Sequence, residues 1–186
     1  EQQAALSALQ QGEGHSVVVL HGVTGSGKSE VFLRYADQQV QQGKQVLFLV
    51  PEIALTPQMQ RAVEARFGDG AAIYHSHLSD QQKYEQYQLV AQGKVQVVVG
   101  TRSAIFLPFA RLGAIILDEE HDTSYKQENA PRYHCRDIAI WRGRHHGCKV
   151  ILASATPSLE SYARAYKGVY QLIEMKSRIH QDLPPV

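Results

Sequence analysis

Cysteine is scarce. Only Cys135 and Cys148 occur in 186 residues. They are too few for a disulfide framework and form no C-x-x-C pair, so a reducing cytoplasm is the expected setting. Long apolar runs are missing as well: Val17–Leu20 and Ala114–Leu117 are four residues each, against the roughly 20 that a membrane-spanning helix needs. No basic-then-apolar leader opens the sequence, which argues against a secretory signal. Nine histidines are present but scattered. His75 and His77 can share one face of a strand and His145–His146 diverge on a helix, yet no third ligand follows at metal spacing, so no zinc is expected. With 44% hydrophobic residues the chain suits one soluble globular domain and excludes fibrous and disordered classes.

Net charge is +1, but it is unevenly spread. Residues 1–125 carry 9 cations and 13 acids. Residues 126–149 carry Lys126, Arg132, Arg136, Arg142, Arg144 and Lys149 against Glu128 and Asp137. Such a local basic segment suits an anionic partner, or equally a solvated helix face.

Val/Ile/Leu-rich runs at 16–21, 45–50, 71–75, 95–100, 114–118, 149–154 and 169–174 read as strands. They are continuous rather than alternating, as in strands buried on both faces. Helices are expected at 2–10, 28–42, 57–67, 80–92, 133–145 and 157–166. Thr56-Pro57 and Thr156-Pro157 place a hydroxyl at the cap and proline in the first turn, and Ser79-x-x-Gln82 resembles a capping box. Trp141 reads as helix core. Alternating strands and helices predict an α/β sandwich with a mainly parallel sheet.

Two clusters carry chemistry. Gly22-Val23-Thr24-Gly25-Ser26-Gly27-Lys28-Ser29 matches G-x-x-x-x-G-K-[ST], after a strand and before a helix. Its glycines let backbone N–H groups converge on phosphates, Lys28 adds a mobile charge, and the Ser29 hydroxyl suits magnesium. A glycine-rich turn with an incidental lysine is the bland alternative. Asp118-Glu119-Glu120-His121 follows the apolar strand 114–117. Asp118 is placed to hold the magnesium shell and Glu119 to polarise water, unless this is only an exposed acidic loop. In 125–136, Tyr125, Tyr133, Lys126, Arg132 and Arg136 mix rings with cations, a composition suited to single-stranded nucleic acid or to a surface loop packed on the domain.

Asp-Glu-Glu-His resembles the second motif of DEAH-like superfamily 2 helicases. Leu49–Gln58, Gly100–Ala104 and Ser154–Pro157 resemble motifs Ia, Ib and III of the same superfamily, in chain order. The strings GVTGSGKSEV, LVPEIALTPQ and SATPSLES resemble bacterial primosomal replication-restart helicases across the whole chain. That resemblance implies a RecA-like P-loop NTPase lobe, the first of two, a three-layer sandwich spanning 1–186 with 175–186 leading toward a second lobe. It implies ATP and magnesium as cofactors, with the family's zinc in the second lobe and not here. Gln2 is implied to read adenine. Pro51, Glu52, Thr101 and Arg102 are implied to face the sugar-phosphate strand, joined by Tyr125, Arg132 and Tyr133. His121, Ser154 and Thr156 would couple nucleotide state to DNA. The implied function is ATP-dependent 3′→5′ unwinding of DNA at stalled replication forks in the bacterial cytoplasm, near the nucleoid. Partners would be branched or single-stranded DNA and helicase-loading proteins, with no membrane. A nucleotide-gated scaffold that recruits loading proteins is one alternative. A small-molecule P-loop enzyme is the other, though Asn-Lys-x-Asp is absent.

Overall fold

The computed structural model describes residues 1–177; the expected connection at 175–186 therefore lies mostly outside the described residues. Seven strands form one sheet: β1 Ser16–Gly22, β2 Gln45–Leu49, β3 Ala71–Tyr74, β4 Val97–Gly100, β5 Leu112–Leu117, β8 Lys149–Ser154 and β9 Gln171–Met175. A two-stranded ribbon, β6 Lys126–Gln127 and β7 Tyr133–His134, stands apart. The order across the large sheet is β3-β4-β2-β5-β8-β1-β9, and every pairing in it is parallel.

Helices cover both faces, because successive strand residues point to opposite sides. Val18, Leu20, Val46 and Ile116 pack with Leu6 and Leu9 of α1 (Gln2–Gln10), Phe32 of α2 (Lys28–Gln41) and Val63 of α3 (Pro57–Phe67). Val17, Val19, Leu47 and Ile115 pack with Val90 of α4 (Asp80–Ala91), Ala139 of α5 (Cys135–His146) and Ala165 of α6 (Leu159–Tyr166). This is a three-layer α/β sandwich whose inner layer is buried on both sides. The Thr56 cap and the Ser79–Gln82 capping box are both present.

Three local readings are corrected. The helix expected from 133 starts at Cys135, because Tyr133 and His134 pair antiparallel with Gln127 and Lys126. The helix expected from 157 starts at Leu159; Ser158, not Thr156, caps it by accepting from the Ser161 N–H. Trp141 is 66% exposed. Helix α5 turns Cys135, Arg136, Ala139 and Gly143 to the sheet, and a Cβ on Gly143 would collide with Val150. The helix therefore sits tight on the sheet and leaves the indole on its outer side.

Candidate functional site

In a parallel sheet, loops at the carboxyl ends of neighbouring strands meet. Here β5, β8 and β1 are adjacent, so the acidic tip, the Ser154 segment and the phosphate loop emerge side by side. Gly25 and Gly27 have φ of 79° and 83°, a left-handed conformation that suits glycine, and Gly27 opens α2. Gly22 lies so close beneath the loop that a Cβ there would stand 2.8 Å from Ser26 Oγ and 2.9 Å from Lys28 Cδ. The Lys28 ammonium donates to the carbonyls of Gly22 and Val23. Ser26 Oγ is buried without a partner among the described residues, a donor that a phosphate oxygen would satisfy. Thr24, Gly25 and Ser29 face solvent around it, and Val23 is half-buried. Gln2 reaches across from α1, its amide donating to the Gly27 carbonyl at 3.3 Å. This cradle fits a nucleoside polyphosphate.

Asp118 is fixed through its N–H to the Leu49 carbonyl, 2.9 Å. Burial, and then the Glu119 charge, push its carboxyl up to about 6, while Lys28 and His121 pull the other way. A carboxylate held partly desolvated opposite a lysine fits a divalent cation ligand. Glu119 carries φ of 48°, a conformation costing a non-glycine residue about 1–3 kcal/mol and common where a side chain must be aimed. His121 Nδ1 lies 2.6 Å from Ser154 Oγ and 3.6 Å from Glu119 Oε2. The imidazole and hydroxyl named as coupling residues are thus in contact. Thr156 joins them by its backbone, its N–H donating to Ser154 Oγ at 2.9 Å.

The largest polar feature here escaped the sequence reading. Glu120 is completely buried and accepts from the Ser158 N–H at 2.6 Å, Ser161 Oγ at 3.2 Å, Ser158 Oγ at 3.3 Å and Arg136 at 3.4 Å. Arg136 also pairs with Glu160 at 2.9 Å. One carboxylate thereby ties the acidic tip to α5 and to the cap of α6. Only the excess of serines in 154–161 hinted at such a partner.

The nucleic-acid candidates divide. Glu52, Thr101, Arg102, Ser124, Gln127 and Tyr133 line one groove on the carboxyl side of the sheet. Arg102 donates to the carbonyls of Ser124 and Lys126, and Tyr133 meets the exposed Phe106 edge-to-face at 5.1 Å. Arg132 is exposed; Pro51 and Thr101 are largely buried. Tyr125 has no exposed surface and its hydroxyl donates between the Leu49 and Asp118 carbonyls. The stacking role expected of Tyr125 is corrected: it is a core wedge under the acidic tip. The basic segment also disperses. Arg136 serves Glu120, Arg142 donates to the Ile105 and Leu107 carbonyls, and Lys149 to those of Leu9 and Gly12.

The family model for DEAD/DEAH box helicases matches residues 1–165. The replication restart protein PriA of Bacillus subtilis (strain 168) is 50% identical over 190 residues, covering 100% of this chain and 24% of that protein. Its counterpart in Treponema pallidum (strain Nichols) is 44% identical over 185 residues, covering 100% and 28%. The chain thus spans about a quarter of the length of these relatives. Among solved structures, RecG bound to a three-way DNA junction superposes with a TM-score of 0.68 at 25% identity, over 98% of this chain and 24% of RecG.

Proposed function

Because the chain belongs to the DEAD/DEAH box helicase family, we propose that it is the ATP-binding lobe of a DNA helicase serving replication restart, with 3′→5′ movement at stalled forks. The observation carrying this reading is the meeting of the phosphate loop, the Asp118–Glu119 tip and the His121–Ser154 contact at three adjacent strand ends. The similarity to replication restart proteins supports the setting.

Each residue then has a task. The backbone of 22–29 and the Lys28 ammonium bind phosphates, and Ser26 Oγ, without a partner among the described residues, donates to one of their oxygens. Gln2 holds the base side of the nucleotide next to Gly27. Ser29 and Asp118 would hold magnesium, which when bound offsets phosphate charge. Glu119 orients water as the general base. His121, Ser154 and the Thr156 N–H relay the state of that tip to α6. The groove of Arg102 and Tyr133, with Arg132 beside it, takes a single strand. Helicase-loading proteins would be further partners.

Binding of a fluorescent ATP analogue to the purified chain tests the core of this reading. With magnesium present, Lys28→Ala should weaken binding at least tenfold while leaving single-stranded DNA affinity unchanged, since Lys28 lies outside the groove. Equal nucleotide affinity in wild type and variant would overturn the phosphate assignment.

A further inference from the structure

Among the described residues, four histidines have a ring nitrogen engaged with the fold: His15 with the Cys148 carbonyl, His21 with that of Ala155, His121 with Ser154 and His134 with the Arg136 N–H. His75 does not. Its Nδ1 is buried with no partner among the described residues, a cost that no structural bond offsets. It sits in the turn after β3 with its ring 6.0 Å from that of the exposed His77. The two rings, with Glu52, Leu55, Gln60 and Thr101, line a cleft of about 200 Å³. That cleft continues the groove of Arg102 and Tyr133, since Glu52 and Thr101 line both. Ser76 lines the adjoining groove, its hydroxyl donating to Glu52 Oε1 at 3.2 Å.

We propose that the turn His75-Ser76-His77, with Gln60 and Glu52, seats one unpaired base of the strand held in the adjoining groove. This rests on the reading of that groove as a single-strand path. The chemistry favours a base over a phosphate. Among the described residues that line the cleft there is no lysine or arginine and the charged group is the Glu52 carboxylate, which disfavours a phosphodiester inside it. Two imidazole faces and Leu55 provide surface for stacking, while the Gln60 amide and Glu52 carboxylate can meet the hydrogen-bonding edge of a base. The turn itself is firm, with the Leu78 N–H closing on the His75 carbonyl and the Ser79–Gln82 capping box following.

Fluorescence anisotropy with a labelled single-stranded oligonucleotide, intact or with one abasic site moved along it, tests the seat on the full chain. The double variant His75→Ala, His77→Ala should weaken binding of the intact strand about tenfold, the loss expected for one stacked base, with the salt slope unchanged. One abasic position should weaken wild type similarly and the variant no further. His77 is exposed, so His77→Ala alone preserves the fold and should give part of the same loss. Three results would overturn the seat: unaltered binding in both variants, a salt slope reduced by about one as for a lost phosphate contact, or indifference of wild type to every abasic position. If Arg132→Ala and Tyr133→Ala weaken binding while the histidine variants do not, the seat is refuted and the groove stands. If wild type binds no strand at all, both fall.

Discussion

A hydroxyl wedged between two main-chain carbonyls contributes to stability rather than to a surface, and Tyr125 is built that way. Tyr125→Phe keeps the ring and leaves the carbonyls short of a donor, at a cost of about 1–2 kcal/mol. Tyr125→Ala opens a cavity and should cost about 3–5 kcal/mol. In a chain of this size each kcal/mol moves Tm by roughly 2–4 °C, so calorimetry should show small and large decreases in that order. Arg132→Ala should leave Tm alone and weaken single-stranded DNA binding, because Arg132 is exposed beside the groove. The contrast marks what the sequence makes legible at this scale. The places of Lys28 at the start of α2 and of Asp118 after β5 were legible because spacing and flanking strands constrain them. Tyr125 could not, since a ring beside cations reads the same whether it faces solvent or core. Glu120 could not either, because its partners lie 16 to 41 residues further along the chain.

Between elements, the Glu120 hub sets how α5 and α6 meet the acidic tip. A buried carboxylate that loses its cation costs far more than a surface pair does. Arg136→Ala should therefore destabilise the chain by about 3–5 kcal/mol in urea denaturation. Glu120→Gln keeps the shape but sets an amide NH₂ against the Ser158 N–H or the Arg136 guanidinium, donors that the carboxylate accepted, so it should also cost about 1–3 kcal/mol; wild-type stability in this variant would mean that the carboxylate is not what holds these helices. Helix interiors and strand centres were readable because burial on both faces leaves continuous apolar runs. Starts of α5 and α6 were not. Tyr133 answers to a cross-strand partner and Ser158 to Glu120, and tertiary partners of this kind override a local cap or proline signal. Trp141 failed for a similar reason: Gly143 brings α5 so near to β8 that no indole fits between them.

For the whole molecule, the parallel sandwich was legible as a class, whereas the strand order β3-β4-β2-β5-β8-β1-β9 is set by tertiary packing and was not. Two expectations act at this scale. Arg102, Arg136 and Arg142 are committed to carbonyls and carboxylates. These three are thus not free to serve as an arginine finger, worth about 10³–10⁵ in rate, and the isolated chain should hydrolyse ATP slowly; a steady-state assay against a full-length relative reads this directly. The second concerns alkaline pH. Burial pushes Cys135 up to about 12, Cys148 to about 11 and Tyr35 to about 12, and Tyr125 well above its ordinary 10. Unfolded, the thiols lose protons near 9 and the phenols near 10. The native chain keeps these protons, so their contribution is complete below about pH 9 and declines as pH rises from there toward 12. The slope is about 1.4 kcal/mol per pH unit for each group that ionises only in the unfolded chain. Tm should fall steeply between pH 9 and 11, and less steeply in a Cys135→Ala, Cys148→Ala variant. At pH 8 neither thiol of the native chain should react with an aromatic disulfide reagent, and both should react in urea. A flat Tm to pH 11, or prompt labelling of the folded chain, would mean that α5 and β8 open around these cysteines far more readily than their packing implies.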